Sequence, residues 1–292
     1  MTLVNTAIVS LLSGIGGMFA WGIYDFLGGV FSKQIGPFRS FFWSQLAGSI
    51  SILLLAIVSS ISLHMPLLVI VLFPLAAIVY SLGYLFYFKG LEIGNISIVS
   101  ATMNLWAVFT MLFAFVFMGQ RLSTIQTLGV VMVLSGVTLA SLNWSDIKQQ
   151  GFQLSSGVKE AVLGAFFFGI FWNISEIISE EVGWLSATLF VKLGIVLFLL
   201  ILALFAKREI GLAQVSAKTK YAVVVMGIME AGAVAIVNYG LTIGQAILIT
   251  PIASALSIVT IMLAIVFLKE RVSKLQGLGM ITAIAGIIVT AL

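Results

Sequence analysis

The sequence predicts an all-α integral membrane protein in which ten transmembrane helices form two inverted five-helix repeats around a central cavity. Composition is the first observation behind this prediction. Of the 292 residues, 61% are hydrophobic and 8% are charged, whereas a soluble domain carries about 25% charged residues. So few charges cannot cover a water-facing surface. The apolar runs lack strict alternation and have the roughly 20-residue length of a membrane-crossing helix, which favours helices over a β-barrel.

Ten such runs can be placed along the chain, and they account for nearly all of it. Their predicted bounds are residues 7–31, 38–59, 66–88, 96–118, 123–142, 157–179, 184–206, 219–239, 246–268 and 273–291. The loops between them are short apart from residues 143–156 and 207–218. The first of these is polar and lies mid-chain, which predicts two domains, residues 1–145 and 146–292.

A duplicated segment is the observation that arranges the spans. Residues 90–136 recur as residues 240–286 at a constant offset of 150, and 14 of the 47 aligned positions are identical. A fainter repeat matches Ser32–Gly36 (SKQIG) to Ser179–Gly183 (SEEVG) at an offset of 147. Each half therefore holds five spans. Because five is odd, the second half must enter the membrane from the opposite side, an arrangement that many secondary transporters share.

The positive charges predict the orientation of the chain. They are concentrated in the odd-numbered loops, those after spans 1, 3, 5, 7 and 9. With flanking residues, this side holds Lys33, Arg39, Lys89, Lys148, Lys159, Lys207, Arg208, Lys218, Lys220, Lys269, Arg271 and Lys274. The other side carries Arg121, together with Glu180 and Glu181. The positive-inside rule then predicts a multi-pass protein of the plasma or inner membrane with both termini outside. Membrane orientation explains the net charge of +4 without a nucleic-acid partner.

The paired motifs resemble one transporter family. In the first half they are Gly90-Leu91 with Gly94, and Gln120-Arg121-Leu122 through Gln126 and Gly129. In the second half they are Gly240-Leu241 with Gly244, and Glu270-Arg271-Val272 through Gln276 and Gly279. Together with the ten-span plan, they resemble the EamA-type members of the drug/metabolite transporter superfamily. The resemblance implies a basket of helices whose cavity is lined largely by spans 1–4 and 6–9. Members of the superfamily move amino acids, nucleotide-sugars, quaternary amines and other metabolites, and they are commonly drawn with both termini in the cytoplasm.

Charged residues inside the spans are the first candidates for a site, since a central charge costs about 2.5–3.5 kcal/mol on insertion scales. Lys192 and Glu230 lie at comparable depth on spans 7 and 8. They form an ion pair that holds the two spans together, or one of them binds a charged substrate group or titrates during transport. Both roles are compatible if the pair opens when substrate arrives. Their matched positions in the first half, Gln45 and Tyr80, are polar and uncharged. Glu230 and Asp25 are the candidates for proton coupling.

Aromatic residues within the spans are the second group of candidates. Mid-span tryptophans lie away from the interface where Trp is usual, and aromatic rings can stack on an apolar or cationic solute. The residues predicted to face the cavity are Trp21, Tyr80, Tyr84, Trp106 and Trp172. For any one of them the alternative is packing in the core or against lipid, whereas the five together favour a cavity. Asn104 is a further substrate-binding candidate. It maps to Ser254, and an interhelical hydrogen bond is the favoured role for both.

These residues favour a secondary transporter of a small polar metabolite. The leading hypothesis is an amino acid or a related amine, with Glu230 binding the ammonium group and Lys192 the carboxylate. The first alternative is a carrier for quaternary amines such as choline, in which Glu230 or Glu176 completes an aromatic cage. The second is a lipid flippase of the same superfamily. The transporter is expected to act as a monomer in the bilayer.

Other classes of protein are disfavoured by what the sequence lacks. It has no cysteine, and its one histidine, His64, lies in a short loop. An intramembrane enzyme acting on lipids would need an acidic metal-binding cluster or a histidine-centred site. The sequence therefore predicts no metal, no cofactor and no enzymatic activity. The missing Walker motif argues against an ATP-driven pump.

Overall fold

The structure is a computed structural model that describes residues 3–59, 61, 65–93, 99, 102–141, 157–269 and 273–290. The regular elements of these segments are all helical, which confirms the predicted all-helical class. Within these residues, seven helical segments are long and apolar enough to cross a membrane when Ala246–Phe267 is counted as one, and three shorter apolar helices accompany them. The number of ten crossings stays a prediction. The loop 143–156, His64, Gly94 and the Glu270–Val272 motif lie outside the described residues.

The helices are numbered here in chain order. They are α1 (Leu3–Ile35), α2 (Pro37–Ser59), α3 (Leu67–Ile93), α4 (Leu105–Phe117), α5 (Thr124–Ser141), α6 (Val158–Val182), α7 (Trp184–Phe205), α8 (Ala217–Leu241), α9 (Ala246–Ala253), α10 (Leu256–Leu263) and α11 (Lys274–Thr290). A π-helical turn, Ala264–Leu268, continues α10. The predicted ninth span is therefore broken. Pro251 has no amide hydrogen for the carbonyl four residues earlier, and a turn at Ser254–Ala255 separates α9 from α10.

Two glycines at matched positions each join a pair of helices through a single residue. Gly36 separates α1 from α2, and Gly183, 147 positions later, separates α6 from α7. Their φ angles are +83° and +80°, in a region that glycine enters without steric cost. The faint repeat of SKQIG and SEEVG therefore encodes the same one-residue turn in each half.

The polar residues of the stronger repeat begin helices. At the start of α5, the Ser123 amide donates to Gln126 Oε1 at 3.0 Å, and the Gln126 amide donates to Ser123 Oγ at 3.1 Å. At the start of α11, Ser273 and Gln276 form the same reciprocal pair at 2.9 and 3.2 Å. These are capping boxes, which satisfy amide groups that the first turn of a helix leaves free. The duplicated Ser and Gln are therefore structural.

The duplicated glycines hold α5 against α11. A Cβ atom added to Gly136 would lie 2.6 Å from the Gly279 carbonyl oxygen, and one added to Gly286 would lie 2.7 Å from the Gly129 carbonyl oxygen. Only glycine permits backbones to approach so closely. Since 129 + 150 is 279 and 136 + 150 is 286, these are the same contact made once from each half.

The remaining helix contacts also come in matched pairs. α1 packs on α8 as α6 packs on α3, and α2 packs on α8 as α7 packs on α3. At the level of residues, Gly22 lies against Val259, and Gly169 lies against Phe109. Adding 147 to 22 gives 169, and subtracting 150 from 259 gives 109. The pattern of packing is therefore preserved when the two halves exchange places.

Candidate substrate site

A buried ion pair between α7 and α8 lies at the centre of the candidate site. Lys192 Nζ contacts the Glu230 carboxylate and donates a hydrogen bond to Gln45 Oε1 on α2 at 2.8 Å. The Tyr80 hydroxyl on α3 donates to the other carboxylate oxygen of Glu230. Each of these four side chains exposes at most 2% of its surface. Buried charges are tolerated where they are paired and hydrogen-bonded, and both charges here meet that condition.

The four residues come from two pairs of matched positions. Lys192 matches Gln45, since 192 − 147 is 45, and Glu230 matches Tyr80, since 230 − 150 is 80. The structure brings the members of each pair into contact, so the cluster lies where the two halves meet. The sequence predicts that all four positions are polar, but it does not predict that Gln45 and Tyr80 bind the two charges directly.

Ring contacts connect all five aromatic residues that were predicted to face a cavity, and all five are buried. They are Trp21, Tyr80, Tyr84, Trp106 and Trp172. The tryptophans form a triad with ring centroids 5.3–6.3 Å apart, and the tyrosines lie 5.2 Å apart. Phe171 joins the two groups, at 4.8 Å from Trp172 and 4.6 Å from Tyr80. The aromatic surface is therefore continuous with the ion pair.

Some residues of this cluster were not among the sequence candidates. Phe168 and Phe171 on α6 pack against Tyr80, and Tyr24 on α1 packs against the ring of Tyr84 at 6.3 Å. The repeat contained a signal that could have found them. Subtracting 147 from 168 and 171 gives Trp21 and Tyr24, so aromatic residues occupy the matched positions in both halves.

The other candidates have different surroundings. Asn104 is buried directly before α4. Its match Ser254 donates to the Pro251 carbonyl at 2.6 Å. This bond joins two residues of the same helical segment, so Ser254 does not form the interhelical bond that was expected. Asp25 is partly buried and forms no ion pair with any residue that the structure describes. The structure thus supplies a charged partner for Glu230 but none for Asp25.

The loop between α7 and α8 covers one end of the site. Trp43 Nε1 on α2 donates to the Ile210 carbonyl at 2.7 Å. Arg39 donates to the Gly211 carbonyl at 3.3 Å and pairs with Glu209 at 3.5 Å. Apolar side chains of the loop pack against the aromatic core. A cavity of about 210 Å³ beside the loop is smaller than a usual ligand pocket of roughly 300–1,000 Å³. The loop therefore lies across this end of the site, where the described residues leave no cavity of ligand size beside it.

The two halves of the chain match one family separately. The sequence model of the EamA-like transporter family matches residues 8–142 and again residues 155–292. The chain belongs to the EamA-like transporter family. The resemblance drawn from the paired motifs is confirmed, and it places this EamA-like transporter in the drug/metabolite transporter superfamily. The protein is accordingly a multi-pass membrane protein of a transporter family.

Comparison with solved structures supports the fold of this EamA-like transporter. One chain, described only as "Crystal structure of protein", superposes with a TM-score of 0.81 at 17% sequence identity. The match covers 97% of this chain and 98% of the other. At that identity the likeness shows the fold alone. None of the curated proteins matches the sequence.

Proposed function

We propose that this EamA-like transporter moves a small zwitterion, an amino acid or a related amine, across the plasma or inner membrane. The buried Lys192–Glu230 pair is the observation that carries the proposal. A zwitterion presents one cation and one anion, so its ammonium group can take Glu230 while its carboxylate takes Lys192. Each buried charge then keeps an opposite charge during the exchange. The transporter avoids leaving one ion unpaired, which costs about 3–5 kcal/mol in a protein interior.

The matched packing supports an inverted repeat with ten crossings and transport by alternating access. Transporters built from inverted repeats place the substrate near the midplane, at the interface of the repeats. The Lys192–Glu230 pair and its matched partners meet at that interface. If each half adopted the helix contacts that the other half now makes, the same residues would be exposed to the opposite side of the membrane. In the present conformation the α7–α8 loop covers the end of the site that lies on the side of the odd-numbered loops.

Counterflow in proteoliposomes tests the proposed substrate class. Purified protein is expected to exchange a labelled amino acid across the vesicle membrane, and Lys192→Gln is expected to abolish this exchange because the carboxylate loses its cation. Lys220→Gln, at an exposed position of α8, is the matched control and is expected to behave as wild type. Unaltered counterflow by the Lys192→Gln variant would contradict the assignment of Lys192 to the substrate.

The tryptophan triad favours a second candidate, a quaternary amine such as choline. Aromatic rings bind quaternary ammonium groups through cation–π attraction, and Glu230 would complete the cage. Lys192 would then have a structural role only, because the solute has no carboxylate. Counterflow of labelled choline that survives Lys192→Gln in the same assay would support this candidate over the zwitterion.

The proposed orientation can be tested because the chain has no cysteine. Single cysteines are introduced as Thr124→Cys, at the start of α5, and Glu209→Cys, in the α7–α8 loop; both positions are exposed. A membrane-impermeant maleimide added to intact cells is expected to label the first variant. The second variant should react only after the cells are permeabilised, because odd-numbered loops are proposed to be cytoplasmic. The reverse pattern would place both termini in the cytoplasm.

A further inference from the structure

A second buried carboxyl group, Glu176 on α6, binds the start of the half-helix α9. Glu176 Oε1 accepts hydrogen bonds from Gln120 Nε2 at 2.8 Å and from the Ala246 amide at 3.2 Å. Gln120 Oε1 in turn accepts from the Ile247 amide at 3.1 Å. A residue from each half of the chain therefore holds the first turn of α9. Glu176 exposes 1% of its surface.

The other oxygen of this carboxyl group has no partner. Glu176 Oε2 and Ser179 Oγ are both buried, and neither makes a hydrogen bond with any described residue. Residues three apart on a helix are neighbours, about 5–6 Å between their Cβ atoms, so the two oxygens lie in the same region of α6. An ionised carboxylate accepts hydrogen bonds at both oxygens, whereas a protonated one also donates. An ionised Oε2 is therefore a buried acceptor without a donor, and a proton on this oxygen would remove its uncompensated charge.

Charged groups near this end of α6 do not compensate Glu176. Glu180 and Glu181 lie one turn further along the helix and are acidic themselves. Arg121, next to Gln120, directs its guanidinium to the carbonyls of Phe115 and Gln120 at 2.8 Å each. On the neighbouring helices, α9 carries no ionisable side chain, and Lys192 of α7 is paired with Glu230 of α8.

The other helices that contact α6 also place no cation near Glu176. α4 carries no ionisable side chain, and the Tyr24 and Asp25 side chains of α1 lie beyond the Trp21–Trp172 contact, towards the start of α6. The nearby end of α8 contributes the exposed Tyr239. α3 contributes Tyr80, Tyr84, Tyr87 and Lys89, which lie in its second half and so towards the opposite end of α6. Within the part of the chain that the structure describes, Glu176 therefore has hydrogen-bond donors but no cation.

We propose that Glu176 is a proton-binding site that couples transport to a proton gradient, distinct from the Lys192–Glu230 site. This inference rests on the proposed function. The carboxylate takes one proton from water on Oε2 and becomes a neutral acid, while Oε1 keeps the Gln120 and Ala246 bonds. Loss of that proton leaves a buried anion with one uncompensated oxygen, a costly state. The charge then favours a conformation in which water reaches Glu176.

The broken span gives the proton a movable element to act on. α9 has eight residues and is separated from α10 by the turn after Pro251, so its first turn can leave Glu176 without displacing α10. Proton occupancy can shift a conformational equilibrium by the difference in proton affinity between the two states. Glu176 lies six residues before the end of α6, on the order of 9 Å along the helix. By the proposed orientation, this end faces the outside.

Infrared spectroscopy tests proton binding without any substrate. Because Asp25 is also partly buried and has no ion-pair partner among the described residues, the pH titration is made in the Asp25→Asn background. This protein is expected to show the C=O stretch of a buried carboxylic acid, and the added Glu176→Gln change is expected to remove that band. Glu180→Gln, an exposed carboxylate one turn away, is the matched control and should retain it. Absence of the band from the Asp25→Asn protein, or its persistence after Glu176→Gln is added, would overturn the proposal.

Transport measurements test the coupling. A proton gradient imposed on proteoliposomes is expected to accelerate wild-type uptake, and Glu176→Gln is expected to lose this acceleration while retaining counterflow. Retained acceleration would overturn the coupling role. Loss of counterflow as well, in a variant that is folded by size-exclusion chromatography, would also overturn it, because Glu176 would then be required for the carrier step itself. Failure of the wild type to exchange any amino acid or amine would contradict the proposed function, while the infrared result would still decide the proton site.

Discussion

Lys192→Met and Glu230→Met are each expected to destabilise the transporter by about 3–5 kcal/mol, because either change leaves the opposite charge buried and unpaired. The double variant is expected to recover most of that loss. Replacing both members of a buried ion pair with apolar side chains of similar volume is often neutral or stabilising. The pair would thus be dispensable for the fold once both charges are removed together.

Transport is expected to separate from stability in the same three variants. None of them can compensate both charges of a zwitterion, so counterflow should be lost even where the double variant is stable. Apparent melting temperature in detergent and counterflow in proteoliposomes are the two measurements. Lys220→Met, an exposed substitution on α8, is the control for the loss of a lysine. A double variant that transported normally would show that the pair serves only to hold α7 and α8 together.

Gly279→Ala is the second change with a large expected effect. The added Cβ would lie 2.7 Å from the Gly136 carbonyl oxygen, and both groups belong to helix backbones that side-chain rotation cannot relieve. Overpacking a close contact typically costs about 1–3 kcal/mol, and here α5 and α11 would have to separate along their length. We expect a marked loss of monodisperse protein and a lower melting temperature.

A second glycine on the same helix provides the control. A Cβ added to Gly277 would have no atom within 4 Å, so Gly277→Ala should leave the protein unchanged or slightly more stable, since alanine is the better helix former by roughly 0.5–1 kcal/mol. Equal melting temperatures for Gly277→Ala and Gly279→Ala would show that the α5–α11 contact does not contribute to stability.

The sequence predicts the arrangement of the helices well because the internal repeat encodes that arrangement in both halves. The offsets of 147 and 150 place Lys192, Glu230, Gln45 and Tyr80 at matched positions, and the structure brings them together. The offsets do not give the distance between two matched residues in the folded protein. The contact of matched residues is a property of the folded interface, so it emerges only when both halves are packed.

The Glu176 region shows where the sequence is insufficient. Gln120 belongs to a motif next to Arg121, and its sequence context suggests a loop residue. Its contact with Glu176 spans 56 positions and depends on α9 beginning at Ala246. Local pattern cannot reveal a hydrogen bond that forms only when a loop, a helix face and a helix start converge. The break after Pro251 has a local signal, because proline lacks the amide hydrogen that a continuous helix would use at this position.

The contact between α5 and α11 has a consequence for biosynthesis. α11 is made after every other described helix, yet its glycine surface is the partner of a helix made long before. Until α11 leaves the ribosome, the glycine stripe of α5 faces lipid or a chaperone in place of its native neighbour. The first half therefore cannot complete its packing alone, and a stalled or shortened nascent chain would present that bare stripe to the quality-control machinery of the membrane.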